Sequence, residues 1–433
     1  MNSFEQLGVR PRTLENLGRQ GLHTPTPVQA EALPILISGR DCVIQSPTGS
    51  GKTLAFLIPM SDQLDGHRQS PPRALIVTPT RELATQIGGV LNRLDPRLKL
   101  ALVFGGVGYQ GQINQLRTAD VIIGCPGRLV DMVERGAARL GAVQYLVLDE
   151  ADEMLDAGFA KDVEKLVDRT TQRTTPHPRQ TVLASATMPD WVIKMAARHL
   201  REPGRVAVDP PEEVALEHGL VSLPRAGKVA YLSQLLAHSS STIVFHRTKH
   251  GTRKLARDLS LLGHSTAELQ GNLSQAARDK ALASFHKRES AVLVATNVAA
   301  RGLDVKDVTL VVNFELPDTA QWLTHRVGRT ARNGAHGRAL TFLSEDDGEK
   351  WRKLRREGAP ALRFVDPGRL IATGALHYLP EPAGSSQPAG PSGSPGGRAP
   401  SRQPDWRGRP RRFGSRPLAA PGRPGANRGG AGR

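Results

Sequence analysis

The chain has 433 residues, too many for one ordinary hydrophobic core, so two or three separately packed units are expected. A formal net charge of +17 costs self-repulsion in a compact state and points to a polyanionic partner, nucleic acid before an anionic membrane. The two cysteines, Cys42 and Cys125, stand far apart and outside any Cys/His cluster, which excludes a disulfide framework and a zinc site and suits a reducing cytoplasm.

In chain order, the N-terminus "MNSFEQLGVRPRTLENLG" lacks a signal-peptide pattern, and no later apolar stretch approaches the roughly 18 residues of a membrane span. A soluble cytoplasmic protein with no membrane partner is expected. Short β-branched or Leu-rich runs then recur, each followed by a helix-compatible stretch: "DCVIQ", "ALIVTP", "KLALVFGG", "DVIIGCP", "YLVLDEA" and "TVLASAT". After "VDPPEEVAL" the pattern resumes with "STIVFH", "STAELQ", "AVLVAT", "VTLVVNF" and "ALTFLS". Continuous apolar runs alternating with helices predict parallel strands buried on both faces, the doubly wound α/β plan. The prolines and acids of "VDPPEEVAL" mark a boundary, which divides the chain into a first domain at 1–207, a linker at 208–216 and a second domain at 217–365. No internal repeat is visible in the residues.

The remainder, 366–433, turns to Pro, Gly, Ser, Ala and Arg after about residue 375 and is expected to be disordered, because it cannot bury enough apolar surface to offset its ordering entropy. Residues 381–433 carry ten Arg against Glu381 and Asp405. "RGRPRRFG" and "NRGGAGR" have the style of arginine-rich segments that bind RNA by charge and stacking; a passive solubility tail is the bland alternative.

"SPTGSGKT", Ser46 to Thr53, lies between the predicted strand "DCVIQ" and a helix-like stretch. In that setting the backbone N–H groups of Thr48, Gly49, Ser50 and Gly51 face inward to hold phosphate oxygens, Lys52 adds a point charge at the β and γ phosphates, and the Thr53 hydroxyl is placed for Mg²⁺. The frame G-x-x-x-x-G-K-[ST] has Ser46 where its first glycine belongs. "YLVLDEADEML" supplies the acids: Asp149 ends a buried run and suits the metal, Glu150 suits polarisation of the attacking water, and Glu153 reads as a helix-dipole cap.

These residues resemble the DEAD-box RNA helicases of helicase superfamily 2; "DEAD" itself stands at 149–152, and the likeness spans roughly residues 4–345. The resemblance implies two tandem RecA-like P-loop domains with ATP in the cleft and single-stranded RNA across both. It implies that Gln29 of "GLHTPTPVQ" reads the adenine edge while Phe4 stacks on the base. Arg81 of "PTRELA", Gly106 of the Gly105-Gly106 pair and Arg128 of "PGR" are then RNA contacts in the first domain. Ser185 and Thr187 of "SAT", with Asp152, are expected to couple hydrolysis to unwinding. In the second domain "LQGNLSQAARDKALASF" places Gln275 and Arg278 as the family does. In "VATNVAARGLDV" Thr296 and Gly302 would touch RNA and Asp304 the ATP ribose. In "HRVGRTARNG" His325 would link to the first domain's acids, with Arg329 and Arg332 as arginine fingers.

Three positions depart from the family pattern: Cys125 for Thr, Asn297 for Asp and Ala331 for Gly. An RNA-stimulated ATPase that clamps and locally unwinds RNA or remodels ribonucleoprotein, working as a monomer with ATP and Mg²⁺, is the expectation. An annealing chaperone acting through the tail and a DNA-directed translocase are the alternatives.

Overall fold

The computed structural model describes residues 3–64, 72–170, 179–208, 216–297, 299, 308–331 and 336–380. Two seven-stranded sheets organise them. The first contains β1 (Cys42–Gln45), β2 (Ala74–Val77), β3 (Leu100–Val103), β4 (Val121–Gly124), β5 (Tyr145–Leu148), β6 (Gln180–Ser185) and β7 (Gly204–Ala207), in the order β3-β4-β2-β5-β6-β1-β7. The second contains β8 (Leu216–Ser222), β9 (Thr242–Phe245), β10 (Thr266–Leu269), β11 (Val292–Ala295), β12 (Leu310–Asn313), β13 (Gly337–Leu343) and β14 (Arg363–Phe364), in the order β10-β11-β9-β12-β13-β8-β14. Counted from its own first strand, the second sheet repeats the strand order of the first. The repeat that the residues conceal is present in the topology.

All pairings within both sheets are parallel. The physical reason is burial on both faces: β2, β4, β5, β9, β11 and β12 are covered along their whole length. Each buried Val, Leu or Ile contributes roughly 1.5–3 kcal/mol over its exposed state. One apolar cluster packs Phe56, Ile76, Val147 and Val182 on one face of the first sheet; another packs Leu75, Leu146, Met154 and Leu183 on the other. The second sheet is covered the same way by clusters around Val244, Val294 and Val312 and around Ile243, Leu293 and Val311.

The eleven apolar runs all become strands. The three strands that the runs do not announce are β7, β8 and β14. In β7 exposed and buried residues alternate, the first half of β8 is open, and both residues of β14 are exposed, so no continuous apolar run marks them.

Two boundaries are corrected: Leu216, expected as the last linker residue, opens β8 and pairs with Gly337 in the second sheet. The tail was expected from residue 366, yet ordered structure continues to Pro380. Asp366 caps the helix Pro367–Thr373 by accepting from Gly368 and Arg369 N–H, Gly374 ends it at φ 70°, and Val365 bridges Tyr378 in antiparallel fashion. Val365 and Leu370 are buried in the second core. A seven-residue helix with a single fully buried residue is too short to interrupt the Pro/Gly/Arg composition, so no apolar run announces it. The Arg-rich segment 381–433 lies outside the described residues, as do 209–215 of the expected linker.

Candidate nucleotide and nucleic-acid site between the two lobes

Loops that leave the carboxyl ends of parallel strands are where such sheets bind ligands. The strand order sorts them. β1, β6 and β5 are neighbours, and they deliver the glycine loop, Ser185–Thr187 and Asp149–Glu150 respectively. β2, β4 and β3 occupy the other half and deliver Arg81, Arg128 and Gly105–Gly106.

In the glycine loop Gly49 and Gly51 adopt φ +84° and +99°, which side-chain-bearing residues rarely reach. A Cβ on Gly51 would also lie 2.6 Å from Gln29 Nε2. The close approach is a hydrogen bond: Gln29 Nε2 donates to Gly51 O at 3.1 Å while its Oε1 accepts from Thr26 N–H at 3.0 Å. Gln29 therefore ties the segment expected to read adenine to the glycine loop, and its second amide hydrogen and second lone pair remain available. Lys52 is buried and donates to Ser46 O at 2.6 Å and Pro47 O at 2.8 Å. Ser46, in place of a glycine, hydrogen-bonds Ser50 across the loop, and its N–H extends the β1–β6 ladder to Ser185 O. Thr48 and Thr53 are half-buried at the same loop. Phe4 is packed into the apolar core at 4 % exposure, so its ring is not displayed as an open stacking face.

Asp149 is buried, and Glu150 sits at φ 50°, ψ 52°, a left-handed conformation for a residue with a side chain. Such strain persists only where the surroundings fix it. Burial first, then Glu150, holds the Asp149 carboxyl far above its usual range; burial first, then Glu153, does the same to Glu150, with Lys52 and Arg329 opposing. Glu150 Oε2 is buried with no hydrogen-bond partner among the described residues. Positive charge lowers both carboxyls, as Lys52 does, so a divalent cation suits the pair. Among the described residues no cluster of three or more His, Cys, Asp or Glu could hold a metal ion by itself. One carboxylate, Asp149, and one hydroxyl, Thr53, fit Mg²⁺, which keeps waters and takes its other ligands from phosphates.

The second lobe closes over this set. Asp152 Oδ2 accepts from Thr187 N–H at 2.8 Å and from the Thr187 hydroxyl at 2.6 Å, and Asp152 N–H donates to Ser185 Oγ at 3.2 Å. His325 Nε2 stands 3.8 Å from Asp152 Oδ2, and its Nδ1 3.5 Å from Glu153 Oε1. Arg329 reaches the same Glu153 oxygen at 3.6 Å. Glu153 is buried against the second lobe rather than capping a solvated helix end.

On the other half, Arg81 fills the space above Gly106, whose added Cβ would fall 2.2 Å from its guanidinium, and donates across the lobes to Gln275 Oε1 at 3.0 Å. Arg278 donates to Glu82 Oε1 from the other lobe. Arg128 donates to Val107 O at 3.1 Å beneath the Tyr109 ring, so it braces the Gly105–Gly106 loop. Thr296 is buried at the end of β11. Gly302, Asp304 and Arg332 lie outside the described residues.

The departures have local consequences. Cys125 is buried, and burial pushes its thiol up to about 12, so it is neutral. Asn297 Oδ1 accepts from Arg326 Nε at 2.5 Å. Ala331 adopts φ 54°, the conformation a glycine would supply without strain. Glu82, Glu153 and Gln321, which bonds Thr187, are the site residues that the sequence left unassigned. Glu82 stood inside a motif; the other two carry no local signal except spacing, Gln321 falling one helical turn before His325.

Comparison with known proteins agrees. Residues 26–195 match the DEAD/DEAH box helicase family and residues 227–334 the helicase conserved C-terminal domain. The chain is 39 % identical over 354 residues to the RNA helicase CrhR of Synechocystis sp., covering 80 % of this chain and 70 % of that protein. It is 36 % identical over 389 residues to the DEAD-box ATP-dependent RNA helicase CshA of Bacillus cereus, covering 86 % and 73 %. Among solved structures, S. cerevisiae Dbp5 bound to RNA and ADP BeF3 superposes with a TM-score of 0.75 at 28 % identity, over 86 % of this chain and 98 % of that one. Mss116p bound to ssRNA and AMP-PNP gives 0.75 at 25 % identity, over 86 % and 81 %. With both halves of the site, the strand order and these relatives in agreement, the chain belongs to the DEAD-box helicase family.

Proposed function

We propose that the chain is an ATP-dependent RNA helicase whose two lobes close on ATP and single-stranded RNA together. The observation that carries this is the placement of the cross-lobe bonds. On the nucleotide half His325 and Arg329 meet Asp152 and Glu153; on the RNA half Arg278 and Gln275 meet Glu82 and Arg81. One closure completes both, so each ligand must favour the other by the same factor.

In this reading Ser46–Thr53 and Asp149 hold ATP and Mg²⁺, and the bound cation neutralises phosphate charge. Lys52 exchanges its carbonyl partners for phosphate oxygens. Glu150, aimed into a buried space with an unpartnered oxygen, takes the proton of the attacking water. Arg329, with Arg332, brings positive charge from the second lobe, and such fingers are worth about 10³ to 10⁵ in rate. Hydrolysis is then slow until the lobes close. Arg81, Gly106, Arg128, Thr296 and Gly302 grip the backbone of the strand, which implies little sequence preference and strong salt dependence. The domain division becomes 1–207 and 216–380, with the Arg-rich segment from 381 tethering structured RNA or ribonucleoprotein. A monomer acting in the cytoplasm suits these features; no helix among the described residues is long and apolar enough to cross a membrane.

Steady-state ATP turnover with no nucleic acid, single-stranded RNA or single-stranded DNA, run beside duplex unwinding, tests the proposal. Stimulation by RNA well above DNA is expected. Equal turnover in all three conditions would sink it.

A further inference from the structure

The helix Ala320–Val327 and the turn that follows it carry Gln321, His325 and Arg329 at four-residue spacing, which puts them on one face. All three meet the first lobe. The family resemblance gives His325 and Arg329 their tasks and gives Gln321 none.

The Thr187 hydroxyl has one proton to give and lone pairs with which to accept. The single hydroxyl proton of Thr187 goes to Asp152 Oδ2 at 2.6 Å. The oxygen of that hydroxyl still has a lone pair, and Gln321 Nε2 donates to it at 3.0 Å. The direction is forced: the amide gives, Thr187 accepts from the second lobe and gives to the first. Ser185 Oγ accepts from Asp152 N–H on the other side, so the Ser185–Thr187 loop is held within its own lobe at both ends. Gln321 grips that loop from the other lobe.

We infer that Gln321 is a positioning residue that fixes Thr187 when the lobes close, so that closure and the placement of the Ser185–Thr187 loop become one event. This rests on the proposed ATP- and RNA-driven closure. It assigns to one amide a share of the coupling between hydrolysis and strand separation. Nucleotide binding to the first lobe alone does not involve Gln321.

The test uses the full chain with Gln321→Met, which keeps length and removes the hydrogen bond, and Gln321→Ala should the methionine variant fold poorly. Thr187→Ser, Thr187→Val and the Gln321→Met/Thr187→Val double variant complete the set. Three quantities are read: affinity for a fluorescent ATP analogue without RNA, the closed fraction by inter-lobe energy transfer with single-stranded RNA and a non-hydrolysable analogue, and base pairs separated per ATP consumed. Removing one net hydrogen bond should lower the closed-to-open ratio by about two- to ten-fold and cut separation per ATP, with RNA-free nucleotide affinity and melting temperature unchanged. Thr187→Ser, which keeps the hydroxyl, should close more fully than Thr187→Val, and the double variant should lose no more than Thr187→Val. Wild-type closure in both Gln321 variants, or losses that multiply in the double variant, would overturn the assignment. A wild-type chain that does not close on RNA and nucleotide removes the proposed function itself, and the variants are then not needed to decide.

Discussion

Arg278 donates from both Nε, at 2.8 Å, and NH2, at 2.5 Å, to the same oxygen of Glu82, 196 residues away in the other lobe. Both side chains are about one-tenth exposed. A buried ion pair broken on one side leaves an uncompensated charge, typically a loss of roughly 3–5 kcal/mol. Here the lobes can part and rehydrate the remaining partner, so the loss falls on closure and not on folding. Glu82→Gln should lower RNA affinity in the presence of a non-hydrolysable ATP analogue at least about ten-fold and leave ATP affinity without RNA unchanged. Equal RNA affinity in the variant would show that this pair does not belong to the RNA-gripping state.

Glu150→Gln keeps size and removes the base. ATP and RNA affinity should persist while turnover falls by about 10² or more, the usual contribution of a positioned general base. Single-turnover phosphate release with RNA bound reads the effect directly; a rate within a few-fold of wild type would take Glu150 out of that role.

The same acids predict a pH dependence. Burial, then the neighbouring Glu150, raises Asp149 to about 7, and burial, then Glu153, raises Glu150 to about 8, from ordinary values near 4. Between those limits the folded state binds more protons than the unfolded one, so stability without nucleotide declines as pH rises from about 4 through 8. Melting temperatures across that range should fall for the wild type and fall less for Glu150→Gln. Parallel slopes would mean that folding leaves the Glu150 titration where it is in the unfolded chain.

How much of this was legible depends on where each signal resides. The central strands could be read because double-sided burial demands unbroken apolar runs, as in Tyr145–Leu148, which is buried throughout. β7 and β14 could not, since an edge strand is half solvated and its residues look like loop. The glycine loop and Asp149–Glu150 were readable because phosphate and metal chemistry demand particular residues at short spacing. Glu153 was misread as a helix cap because what makes it more is His325 and Arg329, nearly half a chain away. Gln321 is silent for the same reason: its partner Thr187 is 134 residues off and no local pattern requires an amide there. The repeated strand order is invisible because the two lobes share only the order of their apolar runs.

Ala331 is a stability defect that the sequence flagged and the structure locates. At φ 54° an alanine carries left-handed strain of roughly 1–2 kcal/mol, part of which glycine gives back through its freer unfolded chain. Ala331→Gly should therefore raise stability by up to about 1 kcal/mol in urea unfolding of the second lobe's transition. A destabilised variant would mean that the methyl group's contacts outweigh the backbone relief.

Asn297 offers the opposite case, a missing charge. Arg326 is buried and donates to Asn297 Oδ1 at 2.5 Å, Asn313 Oδ1 at 3.1 Å and Glu315 O at 2.7 Å, with its guanidinium 5.1 Å from the Phe245 ring centre. The contacting atoms are neutral, its NH2 has no partner among the described residues, and burial draws the guanidinium down to about 9. Placing a carboxylate at 297 would keep the shape of the site and add an opposite charge to a hydrogen bond that the guanidinium already strengthens from the donor side, turning it into an ion pair. Asn297→Asp should then stabilise the second lobe and shift the Arg326 titration upward. Since the new charge also requires desolvation, the sign is informative: a loss of stability in calorimetry would show that Arg326 is compensated by groups other than the residue at 297.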